Sequence, residues 1–136
     1  FPPGTSDIQL TTAQKLNISG ALIVTTPQEI ALNDARKAAS MFNNKGIRIP
    51  ISGVVENMSW FSPDAHPDER YYIFGTEGGK RLAAELNVPL LVQIPLIMEV
   101  GQAAERGQSI FNIKYPVLTR AFDELTEKML AQHPVK

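Results

Sequence analysis

The sequence predicts an α/β domain with three layers, α/β/α, around a mainly parallel sheet. Three observations carry this. Short apolar, β-branched runs recur without clean alternation, as in parallel strands covered on both faces. Segments with helical apolar spacing separate them, and such alternation implies right-handed crossovers. The chain also opens on a helix and has only three or four strands, which reads as the C-terminal half of a doubly wound sheet.

The opening stretch "TSDIQLTTAQKL" (5–16) predicts a helix capped by Ser6 or Asp7. "ALIVTT" (21–26) follows as a strand. At its end, Thr26, Pro27 and Glu29 have the spacing of a cap, a first-turn proline and a capping-box acid. The next helix would place Ala31, Ala35, Ala38, Ala39 and Phe42 on one face and stop near Gly46. "IPISGVVE" (49–56) and "PLLVQIP" (89–95) are the other two buried strands, and "YYIF" (71–74) offers a short fourth. Helices are expected over about 76–86, 98–106 and from Pro116 to about Ala131. The last carries Leu118, Ala121, Phe122, Leu125 and Met129 on one face.

The 136 residues make one domain of ordinary globular composition, 43% apolar and 20% charged, with net charge −1. A mixed, nearly neutral charge pattern gives no footprint for nucleic acid or an anionic membrane. No apolar run approaches the ~20 residues of a membrane span. The polar face of the last helix, with Arg120, Asp123, Glu124, Glu127 and Lys128, is too mixed for a lipid anchor. There are no cysteines, which excludes disulfides and thiolate metal sites within these residues and fits a cytoplasmic protein. The chain starts at Phe1, so a fragment of a longer protein is expected.

Ligands of open parallel sheets bind beyond the carboxyl ends of the strands. Those tips are Thr25–Thr26–Pro27–Gln28, Glu56–Asn57–Met58–Ser59 and Ile94–Pro95–Leu96. Asn57 pairs a donor with an acceptor, as a nucleobase edge requires. Pro95 would give a flat apolar wall. The same residues also suit plain turns and caps. In "FPPGTSD" (1–7), backbone N–H groups and hydroxyls could face a phosphate at a helix start, or simply cap that helix.

"FGTEGGKRL" (74–82) imitates a phosphate loop, but Phe74 stands where the first Gly belongs and Arg81 replaces the Ser/Thr. Gly78 and Gly79 fit close helix packing or loop motion better. His66, Asp64, Asp68 and Glu69 match no metal-binding spacing.

Taken together, "PPGTSD" (2–7), "GALIVTTPQEIALNDARKAASMF" (20–42), "GVVENMS" (53–59), "IFGTEGGKRLAAELNVPLL" (73–91), "QIPL" (93–96) and "GQSI" (107–110) resemble the Mrp family of P-loop ATPases. These are iron–sulfur cluster carriers related to the ParA/MinD group. The resemblance implies that Pro3, Gly4, Thr5 and Asp7 lie near the γ-phosphate of ATP. It also implies that Asn57 recognises the adenine and that Pro95 and Leu96 sit against the base. ATP and Mg²⁺ would be the ligands of a homodimeric parent ATPase, with apo iron–sulfur proteins as partners.

The sequence departs from the family pattern twice. The family's phosphate loop lies upstream of these residues, so this chain alone is expected to be inactive as an ATPase. The slot that holds a C-x-x-C pair in many members reads "SPDAHPDER" (62–70) and offers no thiolate. That loop is then a solvated remnant, a dimer contact through Trp60 and Phe61, or a site completed by residues elsewhere. A regulatory ATPase of the ParA/MinD kind, working by nucleotide-controlled dimerisation, is the alternative function. A flavodoxin-like binding module without catalysis is a third.

Overall fold

The computed structural model describes residues 7–44, 46–112 and 115–134. The order is α1 (Asp7–Lys15), β1 (Ala21–Thr25), α2 (Glu29–Phe42), β2 (Ile51–Phe61), α3 (Gly78–Leu86), β3 (Leu90–Leu96), α4 (Met98–Glu105), a 3-10 turn (Ile110–Asn112) and α5 (Pro116–Gln132). The three strands form one parallel sheet in the order β1-β2-β3.

β2 is the central strand, and it reads as one. Residues 52–56 are buried without a break. Val54 and Val55 point to opposite faces and meet different cores. On one face, Val54 and Ile23 pack against Leu32 and Ala39 of α2, Leu82 of α3 and Ala13 of α1. Leu32 and Leu82 are fully buried, and burying each Leu side chain stabilises by about 1.5–3 kcal/mol. On the other face, Val55, Leu91 and Ile94 meet Leu118 and Ala121 of α5, with Phe122, Leu125 and Met129 beside them. The three expected layers and the apolar face of α5 are both present.

Several local expectations need correction. β1 is not buried on both faces: Val24, on the face opposite Ile23, is 59% exposed, because no described helix packs over that face of β1 at its tip. β2 runs on to Phe61, past its expected end at residue 56. Residues 71–74 form no strand; only Tyr71 makes an isolated antiparallel bridge, to Phe61. The capping box at Thr26 does not form. α2 begins at Glu29 with Gln28 at its N-cap and no side-chain cap, while the Thr26 hydroxyl donates to Gln28 Oε1 at 3.3 Å. α2 ends at Phe42 with Asn43 as C-cap, ahead of Gly46. α3 starts two residues later than expected, at Gly78. Ser6, the first candidate cap of α1, lies outside the described residues; Asp7 opens that helix.

The two sheet edges differ. Along the outer side of β3, Lys128 Nζ of α5 donates to the Leu91 carbonyl at 2.6 Å. Pro95, which has no N–H to give, is tolerated in β3 because it is an edge strand. At the opposite end of the strands, the His133 ring lies 2.8 Å from Ser52 Oγ and pins the end of α5 to the start of β2.

Candidate functional site

A groove of about 460 Å³ runs beside the open edge of β1. Residues 22–26 form one wall, the small side chains Ala31, Ala35 and Ala38 of α2 another, and Gln9 of α1 and Asn57 of β2 reach into it. The alanines expected to let α2 lie close to the sheet thus split their roles. Ala35 and Ala39 are buried, while Ala31 and Ala38 remain half-buried along the groove.

Asn57 stands one residue beyond the Thr25–Glu56 register pair, level with Thr26 at the carboxyl end of the sheet. Its Oδ1 accepts the Met58 N–H at 2.9 Å. Among the described residues, both amide N–H donors and a second lone pair then remain for a ligand. The chain then bulges, because Met58 takes left-handed φ 56° and the Ser59 hydroxyl donates back to the Glu56 carbonyl at 2.9 Å. A non-glycine residue in this region is uncommon and gathers at functional sites. The bulge also carries β2 on to Phe61, which a turn-like reading of Asn57–Met58–Ser59 could not foresee.

The structure brings Asn57 together with Thr25 and Thr26. Pro95 is buried within β3, and Leu96 is half-buried opposite Phe61; neither lines the groove. Asp7 is exposed in the first turn of α1. Pro3, Gly4 and Thr5 lie outside the described residues.

Sequence reasoning placed Glu56 at a strand tip but gave its side chain no role. Its side chain is 1% exposed. Oε2 accepts the Gly79 N–H at 2.5 Å and Oε1 accepts from Gln93 Nε2 at 2.7 Å. The only sequence signal was an acid inside an apolar strand, "GVVENMS". This arrangement also bears on the imitation phosphate loop: the amide of Gly79 is already taken by an internal carboxyl group. Gly78 and Gly79 serve close packing. A Cβ at Gly78 would lie 2.4 Å from the Pro27 carbonyl oxygen, and one at Gly79 would lie 2.7 Å from Glu56 Cβ.

The loop over residues 62–70 is tied down rather than free. Phe61 and Tyr71 exchange two backbone hydrogen bonds, at 2.9 and 2.8 Å, and close it. Tyr115 donates its hydroxyl to Asp64 Oδ1 at 2.5 Å, Tyr71 donates to Glu69 Oε2 at 2.6 Å, and the Arg70 guanidinium lies 4.2 Å from the Trp60 ring centre. The bond to Asp64, with some burial, pushes the Tyr115 phenol up to about 12. The bond to Glu69 pushes the Tyr71 phenol up in the same way. Two of the loop's carboxylates are therefore engaged, and no group of three or more His, Asp or Glu among the described residues could hold a metal ion. Next to the loop, Tyr71, Tyr72 and Ile73 are exposed.

Comparison with known proteins agrees with the fold and gives the family. A family model described as ParA, the NUBPL iron-transfer P-loop NTPases, matches residues 1–130. An iron–sulfur cluster carrier protein of Synechocystis is 46% identical over 81% of this chain and 31% of its own length. An iron–sulfur protein required for NADH dehydrogenase, mitochondrial, from Arabidopsis thaliana is 40% identical over 96% of the chain and 41% of its own length. The mouse iron–sulfur cluster transfer protein NUBPL is 43% identical over 81% and 34%. The chain thus spans 31% to 41% of the length of these three relatives. Among solved structures, a nucleotide-binding protein of Archaeoglobus fulgidus in complex with ADP superposes with TM-score 0.71 at 30% identity, over 90% of this chain and 48% of that one. The cell division ATPase MinD of Pyrococcus furiosus shares the fold, with TM-score 0.59 at 23% identity over 83% and 43%. This chain belongs to the NUBPL iron-transfer P-loop NTPase family of the ParA group.

Proposed function

We propose that residues 1–136 are the C-terminal, base-recognising part of an Mrp-type ATPase domain. The intact protein binds and hydrolyses ATP with Mg²⁺ and acts in iron–sulfur cluster assembly or transfer. The observation that carries the reading is Asn57, held at the tip of the central strand beside Thr25 and Thr26, its amide donors bonded to none of the described residues. The likeness to a solved ADP complex supports it. Pro3, Gly4, Thr5 and Asp7 then belong to the phosphate end, and Pro95 and Leu96 to the apolar side of the base. The open β1 edge and its groove are covered by another part of the same protein, which carries the phosphate loop and the Mg²⁺ ligands. This chain alone turns over no ATP; Mg²⁺-dependent hydrolysis by the purified 136 residues would overturn that statement.

The test is ADP titration of the intact protein by calorimetry. Asn57→Ala should weaken binding by about tenfold, the cost of losing one or two buried hydrogen bonds. Unchanged affinity would remove Asn57 from the site.

The cluster is cargo, and these residues offer it no thiolate ligand. A second reading follows from that. Intact protein acting as a ParA/MinD-like regulatory ATPase would need no cluster, and the exposed Tyr71, Tyr72 and Ile73 would serve a homodimer or partner contact. Anaerobic reconstitution of the intact protein with iron and sulfide separates the two. Stoichiometric iron that passes to an apo-acceptor supports the carrier, with ligands outside residues 62–70. Nucleotide binding without iron supports the regulator. No described helix is long and apolar enough to cross a membrane; a cytoplasmic location is proposed and is checked by cell fractionation.

A further inference from the structure

Three contacts converge on the side chain and carbonyl of Glu56, the residue before Asn57. Its two carboxyl oxygens accept from the Gly79 amide and the Gln93 side chain, and its carbonyl accepts from Ser59. Gly79 lies in the first turn of α3, whose neighbour Gly78 rests against the Pro27 carbonyl at the β1 tip. That turn is the return end of the segment that leaves the sheet at Phe61 and carries the loop over residues 62–70. One carboxyl group therefore joins the tip bearing Asn57 to the start of α3.

The arrangement is costly for a residue that only fills space. A carboxyl group at 1% exposure needs compensation, and among the described residues Glu56 has no cationic partner within salt-bridge range. What meets it is the amide end of a helix and a neutral side-chain amide, both of which favour an acceptor. A leucine would fill the volume without that demand. The burial is better explained by the position it enforces than by the stability it contributes.

We propose that Glu56 is the positioning residue that couples the nucleotide tip of β2 to the loop over residues 62–77. Through the Gly79 amide it fixes Asn57 and the return of the loop in one arrangement, so that nucleotide binding at Asn57 tightens the loop. This rests on the nucleotide reading above.

The experiment is hydrogen exchange of the intact protein, read by mass spectrometry with and without ADP, together with ADP affinity. In the wild type, ADP should slow exchange in peptides covering residues 60–79. Glu56→Gln keeps an acceptor for the Gly79 amide, and a turned Gln93 amide can meet its new donor. It should retain loop protection and an affinity within about threefold of wild type. Glu56→Ala should weaken ADP by about tenfold or more and abolish loop protection, with α5 exchange unchanged.

Glu56→Ala binding ADP as the wild type does, weakening no further than Glu56→Gln, or keeping ADP-dependent loop protection would each overturn the proposal. If Glu56→Ala does not fold, Glu56→Leu decides, since leucine fills the volume but accepts no hydrogen bond from the Gly79 amide. Reduced loop protection with retained folding supports the coupling; an unchanged response overturns it. If wild-type protein binds no ADP, the nucleotide reading falls and this proposal with it. Binding without dependence on Glu56 removes this proposal alone.

Discussion

At the scale of single residues, the closest constraints are steric and electrostatic. Gly78 meets backbone, which cannot move aside as a flexible side chain could. Gly78→Ala should destabilise by about 1–3 kcal/mol, the usual cost of overpacking, measured as a shift in urea midpoint. Tyr115 gives a pH prediction. Its phenol is held at about 12 in the fold, above its ordinary value near 10. The raised value means that the Tyr115–Asp64 tie contributes fully below pH 10 and is lost as pH rises through about 12. Spectrophotometric titration at 295 nm should show one tyrosine ionising near pH 12, and Tyr115→Phe should delete that step. A transition confined to pH 10 would contradict it.

Elements are set by their ends as much as by their periodicity. α3 is bounded by two left-handed residues, Glu77 (φ 56°) and Asn87 (φ 55°). Asn tolerates that conformation better than most residues, and Asn87 N–H caps the helix by reaching the Ala83 and Ala84 carbonyls. Asn87→Val should cost about 1–2 kcal/mol in denaturant unfolding, whereas Asn87→Gly should be close to neutral. Gly101 is the converse case. It lies inside α4 with nothing within 4 Å of its would-be Cβ, so Gly101→Ala should stabilise by about 0.5–1 kcal/mol. α2 and α3 are tied across their surfaces by Arg36, whose fork holds Glu85 at 2.7 and 2.9 Å and also reaches Glu29. That contact holds the Glu85 carboxyl below the usual carboxylate range. Both groups are solvated, so the pair orients the helices more than it stabilises them.

For the whole molecule, the decisive feature is the asymmetry of the sheet. Lys128 covers a carbonyl on the outer side of β3, while β1 shows an apolar edge beside the groove that pairs with no described strand. Such an edge is a template for pairing with another strand. The 136-residue chain on its own should therefore self-associate with increasing concentration in analytical ultracentrifugation. Val24→Lys, which places a charge on that edge, should suppress association without lowering the unfolding midpoint, since Val24 is 59% exposed. A strictly monomeric wild-type chain at high concentration would mean that the edge is already protected.

Much of this architecture was legible because it is written in local periodicity. The unbroken apolar run of β2 marked a central strand, and the spacing of Leu118, Ala121, Leu125 and Met129 marked the buried face of α5. A strand tip ending in an asparagine marked a ligand position. These patterns depend on residues within a turn or two of one another, where backbone geometry alone relates them. Tertiary structure decided the rest. Thr26 sat at capping-box spacing, yet its hydroxyl turned to Gln28. Met58 sat at an apparent strand end, yet a left-handed bulge carried β2 onward. Val24 looked buried until its face of β1 proved to be uncovered. Glu56 could be understood only once α3 folded back to set an amide against it, 23 residues away in sequence. Sequence determines what each segment favours by itself; which strand is left without a neighbour, and which buried polar group finds its partner, depends on contacts between segments that no local pattern encodes.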